Sequence, residues 1–358
     1  MTLTEITHHR LANQQIATHQ FGKPAEIVEW LGAIQAQEYA LSKWAIGLRL
    51  PGSKEDEIEK ALSAGTILRT HLLRPTWHFV APADIRWMLA LTAPRVNVAN
   101  AFMYRKMELD QPIFNRANDV LAKTLQGGKH LTRPALQKAL AQKKIIADGV
   151  RLVCIMMHAE LDGIICSGAR SGNQFTYALL DERVAPGKQF DGDEALAELT
   201  TRYFNSRGPG TLNDFAVWSG LTKTLAKKGL EMALPAFEKE KVGDEDYYFQ
   251  PGTDVDKNGI RQAWLLPPYD EYIMGYKNKE PIFISRNKIP KTPTMLFNNT
   301  IVIEGQIAGS WRRTIQKNTI HLEYHLFKPS NKKQSHLLKQ SIRKFSRFMD
   351  LPVTEIEK

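Results

Sequence analysis

Residues 130–180, HLTRPALQKALAQKKIIADGVRLVCIMMHAELDGIICSGARSGNQFTYALL, contain the pattern that decides the fold. Thr132 is suited to cap a helix whose first turn contains Pro134. A second helix, DGVRLVCIMMHAELDG, follows, and two β-rich runs then flank a polar tip that contains glycine. Helices followed by a β-hairpin are the plan of a winged helix, a helix-turn-helix with a hairpin as its wing.

The same order of signals appears twice more along the chain. GPGTLNDF (208–215) begins a similar unit about 79 residues later, with YYFQPGTDV (247–255) as its hairpin. The first segment matches more loosely. It has a helix within GKPAEIVEWLGAIQAQ (22–37), a helix from Glu55 to Ala64 and the strand RPTWHFVAP (74–82). We therefore expect three tandem winged-helix units, near residues 5–100, 115–190 and 195–260.

The pattern changes after Thr294. MLFNN (295–299), TIVIEGQIAGSWRRTI (300–315) and TIHLEYHLF (319–327) are β-branched and aromatic runs, with a hairpin turn at Gln316-Lys317-Asn318. SHLLKQSIRKFSRFM (335–349) is an amphipathic closing helix. Residues 264–358 are thus expected to form a basic, β-rich, barrel-like element. The predicted fold class is mainly α with small β, and no parallel sheet is expected.

Composition narrows the function classes. The chain has 358 residues, 43% of them hydrophobic, without an apolar run that suits a signal peptide or a membrane helix. We expect a cytoplasmic protein that does not act at a membrane. Two cysteines, Cys154 and Cys166, do not suggest a disulfide framework, and no metal-ligand motif is present. Chemistry without a metal or another cofactor is the expectation.

The charge is unevenly placed. The net charge is +10, and residues 277–358 carry 16 Lys and Arg against 6 Asp and Glu, so the whole excess lies there. A local basic excess of this kind favours a polyanion, and nucleic acid is the common one in the cytoplasm. We expect double-stranded DNA as the partner of a monomeric protein. RNA is a weaker alternative, because aromatic stacking motifs of the RRM kind are missing.

The helices that would read bases in a helix-turn-helix are apolar here. PALQKALAQ (134–142) and LNDFAVWSGL (212–221) offer few side chains for the major groove, so the units are expected to arrange one site. Strand alternation in RPTWHFV puts Trp77 and Phe79 on one face and His78 on the other. His78 either faces DNA or is a satisfied histidine of the wing. The candidate DNA-binding residues are Arg69, Arg74, His78, Arg133, Arg170, Arg312 and Arg313.

Gln35 and Gln37 close the apolar segment LGAIQAQ (31–37). By themselves they are weak evidence for a site, because glutamine is a good helix former and common on surfaces. On a continuous helix, residues two apart point about 200° from each other. The two amides would converge only if the helix ended at this position.

Four motifs together resemble the AlkZ-like (YcaQ-like) family: LGAIQAQ (31–37), LRTHLLRPTWHFVAP (68–82), PPYDEYIMGYK (267–277) and GSWRR (309–313). These are bacterial winged-helix DNA glycosylases, and the resemblance extends from about Leu11 to Phe348. It implies three tandem winged helices and a barrel-like element around a basic channel for duplex DNA. The family signature is Gln, an aliphatic residue, then Gln or Asp, so Gln35 and Gln37 are the implied catalytic residues.

The implied reaction is hydrolysis of the N-glycosidic bond of N-alkylated purines, including interstrand crosslinks, by a monofunctional enzyme. Alkylation makes the base a cationic leaving group, so an amide that positions water suffices in place of a strong base. We expect Gln37 to hold the water and Gln35 to assist, although the roles could be reversed. The alternative is a non-catalytic winged-helix DNA-binding transcription regulator.

Overall fold

The computed structural model describes residues 1–187, 189–252, 255, 257–283 and 298–357. The first region is helical with a small three-stranded sheet, in which β3 lies between β1 and β2. Its elements are α1 (Leu3–Asn13), α2 (Pro24–Leu31), β1 (Ala33–Gln35), α3 (Tyr39–Gly47), α4 (Glu55–Ala64), β2 (Leu68–Leu72), β3 (Arg74–Val80) and α5 (Ile85–Lys106). Both the helix from Glu55 to Ala64 and the strand from Arg74 are confirmed.

The helix predicted within residues 22–37 is shorter than expected. It ends at Leu31 because Gly32 adopts a positive φ of 70°, which favours glycine. A Cβ at Gly32 would also lie 3.3 Å from Cε of Met88. The chain then turns into β1, so the glutamine pair lies at the end of a strand.

The second region follows the predicted order of helices and hairpin. Its elements are α6 (Gln111–Leu125), β4 (Leu131–Thr132), α7 (Arg133–Gln142), α8 (Gly149–Leu161), β5 (Ile165–Ser167), β6 (Thr176–Leu179) and α9 (Leu180–Arg183). Thr132 is the N-cap residue of α7, with a proline in the first turn, as predicted. β5 and β6 pair as an antiparallel hairpin.

The third region has the expected order, but its hairpin lies earlier. The elements are α10 (Gly192–Arg207), α11 (Leu212–Ser219), α12 (Lys223–Ala233), a 3₁₀ turn (Leu234–Ala236), β7 (Glu238–Val242) and β8 (Glu245–Phe249). The turn falls at Gly243, which has a positive φ of 63°, and not at Pro251-Gly252. YYFQPGTDV therefore supplies only the end of β8; Thr253 and Asp254 lie outside the described residues.

The C-terminal region is built on a five-stranded sheet with the order β13-β12-β11-β10-β9. Its elements are α13 (Lys257–Ile260), β9 (Ala263–Leu266), α14 (Glu271–Met274), a 3₁₀ turn (Glu280–Ile282), β10 (Thr300–Ile303), β11 (Gln306–Gln316), β12 (Thr319–Leu326), α15 (Lys332–Met349) and β13 (Val353–Glu357). Lys317 and Asn318 both have positive φ, so the predicted hairpin turn is confirmed. Of the predicted strand MLFNN, residues 295–297 lie outside the described residues.

Two expectations for the C-terminal region need correction. Within the described ranges the five strands form an open sheet, with β9 and β13 at its edges, so no closed barrel is seen. β12 and β13 are also parallel, contrary to the expectation of no parallel sheet. The reason is the connection: α15 crosses back along the sheet between them, and a crossover of that kind joins parallel strands.

The fold as described is a mixture of helices and small sheets, in which each of the first three regions contains an antiparallel hairpin. The winged-helix assignment and the three predicted boundaries stay predictions. No helix in the described part of the chain has the length and apolar content that a membrane crossing needs.

The largest core joins the first region to the C-terminal region. Trp44 of α3 packs against Phe345 and Phe348 of α15, with ring centroids 5.2 and 5.0 Å apart. Its indole N–H donates to the carbonyl oxygen of Leu265 in β9 at 2.7 Å. The C-terminal sheet is thus packed directly against the helices that flank the glutamine pair.

Fully buried ion pairs connect the first and third regions to the C-terminal region. Arg49 donates to both carboxylate oxygens of Asp270, at 2.8 and 2.9 Å, and Arg207 donates to Glu271 at 2.7 Å. All four side chains are shielded from solvent. Breaking such a pair leaves an uncompensated buried charge, which costs far more than the pair itself contributes.

We expect Arg49→Ala to lower the free energy of unfolding by about 3–5 kcal/mol, because Asp270 loses its partner in the core. Lys54→Ala is the matched control, since Lys54 pairs with Asp350 at the surface and should contribute less than about 1 kcal/mol. Urea unfolding followed by circular dichroism measures both. Equal losses in the two variants would contradict a structural role for the Arg49–Asp270 pair.

Candidate active site

The structure places both glutamines at one edge of the first sheet. Gln35 pairs with His78 across β1 and β3, and the N–H of Ala36 donates to the carbonyl of Trp77 at 2.7 Å. The N–H of Trp77 in turn donates to Oε1 of Gln37 at 3.4 Å. Strand β1 ends at Gln35, so Gln37 lies in the bend that follows, next to Trp77. The two glutamines are therefore not on a continuous helix, where their side chains would point about 200° apart.

Gln35 is almost fully buried, with 4% of its surface exposed, and it is held on two sides. Its backbone N–H donates to Oε1 of Glu271 at 2.9 Å, and Arg74 donates to its side-chain Oε1 at 3.1 Å. The amide oxygen is thus occupied. Within the described residues its NH₂ group donates to no protein atom, so this group is left to act on a ligand.

Glu271 is the anchor of this arrangement. Its Oε2 accepts from Nη2 and Nε of Arg207, at 2.7 and 3.1 Å, and from the indole N–H of Trp218 at 2.9 Å. Burial alone raises the pKa of Glu271, but Arg207 and the N–H of Gln35 outweigh it and lower the pKa below its ordinary value. The carboxylate therefore stays charged and satisfied. Sequence reasoning did not single it out, although it lies in the motif PPYDEYIMGYK.

Arg74 has a different position from the one predicted. Its guanidinium donates to the carbonyl oxygens of Trp218 and, at 3.4 Å, Val217, as well as to Gln35. Burial lowers its pKa. These contacts make Arg74 a residue that orients Gln35, whereas the sequence suggested a phosphate contact.

His78 is fully buried, which corrects the suggestion that it faces DNA. Nδ1 lies 2.9 Å from the carbonyl oxygen of Thr76, while Nε2 is buried without a hydrogen-bond partner. Burial, aided by the charge of Arg74, lowers the pKa of His78 to about 3. The ring is thus a neutral, buried histidine with one of its two nitrogens paired, which meets the second alternative, a satisfied wing histidine, only in part.

Gln37 differs from Gln35 because it is exposed. In the described structure its side chain has one hydrogen bond to protein, the long one from the N–H of Trp77. A bond of 3.4 Å is weak, so a ligand can replace it at small cost. One amide is therefore fixed in the protein and the other faces solvent beside it.

The remaining predicted residues lie in two other places. Arg69, Arg133 and Arg170 line one pocket between the first and second regions. Arg312 and Arg313 lie on β11. Arg312 is 69% exposed and pairs with Glu323. Arg313 is half-buried, with its guanidinium over the ring of Phe345. The structure therefore does not gather the predicted basic residues into one cluster.

A family model described as DNA glycosylase AlkZ-like matches residues 28–348, an interval that includes the whole site described above. The chain belongs to the AlkZ-like DNA glycosylase family. It is a DNA N-glycosylase, which decides against the alternative of a non-catalytic regulator.

Among solved structures, the Streptomyces sahachiroi DNA glycosylase AlkZ has the same fold. It superposes with a TM-score of 0.81 over 99% of this chain and 100% of that one, at 18% sequence identity. A search of curated proteins finds no match. Within this glycosylase, no group of three His, Cys, Asp or Glu side chains in the described ranges is arranged to bind a metal ion.

The buried His78 should make the stability of this glycosylase depend on pH. The folded pKa is about 3 and the ordinary value is 6.5, so below pH 6.5 only the unfolded chain gains the proton. The stabilisation is complete above pH 6.5 and is lost as the pH falls toward 3, by about 1.4 kcal/mol per pH unit.

The measurement is urea unfolding at several pH values between 5 and 7. His78→Asn should reduce the difference in unfolding free energy between pH 6.5 and pH 5 by about 2 kcal/mol relative to wild type. His336→Asn, at an exposed position of α15, is the control and should keep the wild-type dependence. If His78→Asn kept it too, the histidine would not be neutral and buried as described.

Proposed function

We propose that this glycosylase hydrolyses the N-glycosidic bond of N-alkylated, cationic purines in double-stranded DNA, and that it unhooks interstrand crosslinks. The observation that carries the proposal is the pair of amides at the end of β1: Gln35 held by Arg74 and Glu271, and Gln37 exposed beside it. Two neutral groups, one held in place and one accessible, suit a reaction whose leaving group is already activated.

The chemistry explains why amides suffice. Alkylation at N7 or N3 leaves the purine with a positive charge, so the base departs without protonation. The remaining barrier lies in stabilising an oxocarbenium-like sugar and aiming water at C1′. An amide accepts from that water through its carbonyl and directs its dipole toward the developing positive charge.

The environments of the two glutamines support different roles. Gln37 is exposed, and its Oε1 is engaged only by the weak contact from Trp77, so it can take up a water molecule. The oxygen of Gln35 is already occupied by Arg74, which leaves its NH₂ group for the sugar or the same water. Gln37 is the water-positioning residue in this proposal, and Gln35 fixes the geometry.

Exposure of Gln37 also bears on the substrate. A bulky crosslink joins both strands and cannot be rotated into a closed pocket, as most glycosylases require. A catalytic amide at an accessible edge can act on a lesion that stays in the duplex. The predicted wings would then clamp the DNA from both sides.

A Schiff-base mechanism is not part of the proposal. Lys279 has a pKa lowered by burial to about 8, the kind of shift that activates an amine. Its Nζ, however, donates to the carbonyl oxygens of Ile273 and Tyr276 inside the protein. These contacts indicate a structural lysine, in keeping with a monofunctional enzyme.

Gln37→Ala should lower the single-turnover rate of N7-alkylguanine release by on the order of 10²-fold, because one well-placed polar group is lost. Gln35→Ala should lose activity more mildly. Gln37→Asp should keep substantial activity, since a carboxylate also holds water near a cation. Gln142→Ala, at an exposed glutamine in the last turn of α7, is the matched control.

Free base released from a duplex with N7-methylguanine is the readout, together with DNA affinity and unfolding midpoints. A wild-type protein that binds alkylated duplexes but releases no base from N7 or N3 lesions would refute the proposed substrate. Base release that is unchanged in Gln37→Ala would keep the substrate and remove the proposed role of this residue.

The second part of the proposal is that basic side chains of residues 277–358 contact DNA phosphates. Arg312 is exposed on β11, and the carboxylate of Glu323 on β12 accepts from its Nε at 2.5 Å. An exposed ion pair contributes little to stability. Arg312 can therefore exchange this partner for a phosphate without disturbing the sheet.

Replacing both Arg312 and Arg313 by Ala should flatten the dependence of log affinity on log salt by about 0.9 per lost phosphate contact. Fluorescence anisotropy with an undamaged duplex over a range of salt concentrations measures the slope, and circular dichroism checks the fold. A slope equal to that of wild type would exclude these two residues from the DNA interface.

A further inference from the structure

We propose that a pocket between the first and second regions binds an unstacked nucleotide with an uncharged base, in the DNA on which the enzyme acts. This inference rests on the proposed function and names a second subsite for its substrate. The cavity measures about 470 Å³, within the size range of small-molecule sites. Its walls carry Tyr39, Trp77, Phe175 and Tyr177 together with three arginines.

An unpaired, buried arginine is the strongest indication of an anionic ligand. Arg69 is only 8% exposed, and within the described residues its guanidinium makes one hydrogen bond to protein, from Nε to the carbonyl oxygen of Ala36 at 3.1 Å. In the described part of the chain no carboxylate pairs with it. Burial lowers its pKa to about 10, so it is still charged at neutral pH. The carboxylates of Glu160 and Glu38 attract this charge without forming an ion pair with it, so a phosphate would supply a direct counterion.

The other two arginines point to the same ligand. Arg133 lies in the first turn of α7, a ten-residue helix whose N-terminus borders the pocket, and it forms no ion pair in the described structure. Arg170 lies 3.7 Å from Glu59, and its Nε is buried without a partner. Glu59 is already held by Lys43 at 2.9 Å, so its charge does not balance the arginines.

The aromatic side chains supply surfaces for a base. The guanidinium carbon of Arg69 lies 4.2 Å from the ring centroid of Trp77 and 5.0 Å from that of Phe175. Phe175 follows the tip of the β5–β6 hairpin, packs edge-on against Tyr39 at 4.8 Å, and is still 43% exposed. Bases stack on aromatic rings and guanidinium planes of this kind.

Charge and position together exclude the alkylated base as the occupant. The pocket has a net positive charge, which disfavours a cationic purine. Arg69 and Trp77 also lie on the sheet face opposite to Gln35 and His78, as the strand register shows. Trp77 nevertheless touches Gln37 through its backbone, so the pocket adjoins the reaction site. The ligand that fits is a nucleotide with an uncharged base near the lesion, in the same strand or in the opposite one.

The test uses the whole protein and three short duplexes without a lesion. One is fully paired, one has a single bulged thymidine, and one has a bulged abasic residue in the same place. Wild type should bind the thymidine bulge about tenfold more tightly than the abasic bulge, because only the former offers a base to stack. The abasic duplex controls for the bend that a bulge introduces.

Phe175→Ala should reduce the ratio of the affinities for the thymidine and abasic bulges toward one, since it removes an exposed ring of the pocket wall. Phe102→Ala is the matched control, because Phe102 is a 68% exposed phenylalanine on α5 outside the pocket, and it should keep the ratio. Arg133→Gln should weaken binding of the thymidine-bulged duplex and lower its salt slope by about 0.9, as expected for one lost phosphate contact.

Equal affinity of wild type for both bulged duplexes would overturn the proposal. If free thymidine monophosphate nevertheless quenched the tryptophan fluorescence of wild type but not that of Trp77→Phe, the pocket would be a site for free nucleotides and not for DNA. Release of alkylated base is measured separately. Activity without bulge discrimination would refute this inference alone, and discrimination without activity would refute only the proposed function.

Discussion

The carboxylate of Glu271 is the group on which the site depends. It accepts from Arg207 and Trp218 of the third region and from the backbone N–H of Gln35 in the first region. Arg207 extends the connection, because it also donates to the carbonyl oxygens of Leu31 and Ala33 on either side of Gly32. The turn from α2 into β1 is therefore held by the buried ion pair of Arg207 and Glu271. This pair also fixes the backbone at Gln35 and so the direction in which its side chain points.

This kind of support suits the chemistry of an AlkZ-like glycosylase. Glutamine has no charge and no proton to give readily, so its contribution depends on where its dipole points. A rigid strand edge, a buried ion pair and an arginine on the amide oxygen determine that direction for Gln35 before DNA arrives. In the proposed mechanism the amide needs a stable support, and the fully buried pairs of Arg49 and Arg207 contribute to that support.

Much of the fold could be predicted from local signals. Three signals that depend only on neighbouring residues predicted structure correctly. They are the helix start at Thr132 and Pro134, the amphipathic helix of residues 335–349 and the turn at Lys317-Asn318. Predictions failed where distant contacts decide the outcome. The strand at Val353–Glu357 exists because β12 is available to pair with it, and the hairpin around Gly243 lies where β8 can also bridge to Gly210.

The glutamine pair shows where the sequence by itself reaches its limit. Residue types and motif order identified Gln35 and Gln37, since amides at that spacing carry the family signature whatever the backbone does. Whether they lie on a helix or at the end of a strand depends on Gly32 and on the pairing of β1 with β3. Likewise, the sequence identified Arg69, Arg74 and His78 as polar groups near one strand. Only the tertiary structure assigned Arg69 to a pocket, Arg74 to an amide and His78 to the core, because burial and partners come from segments far away in the chain.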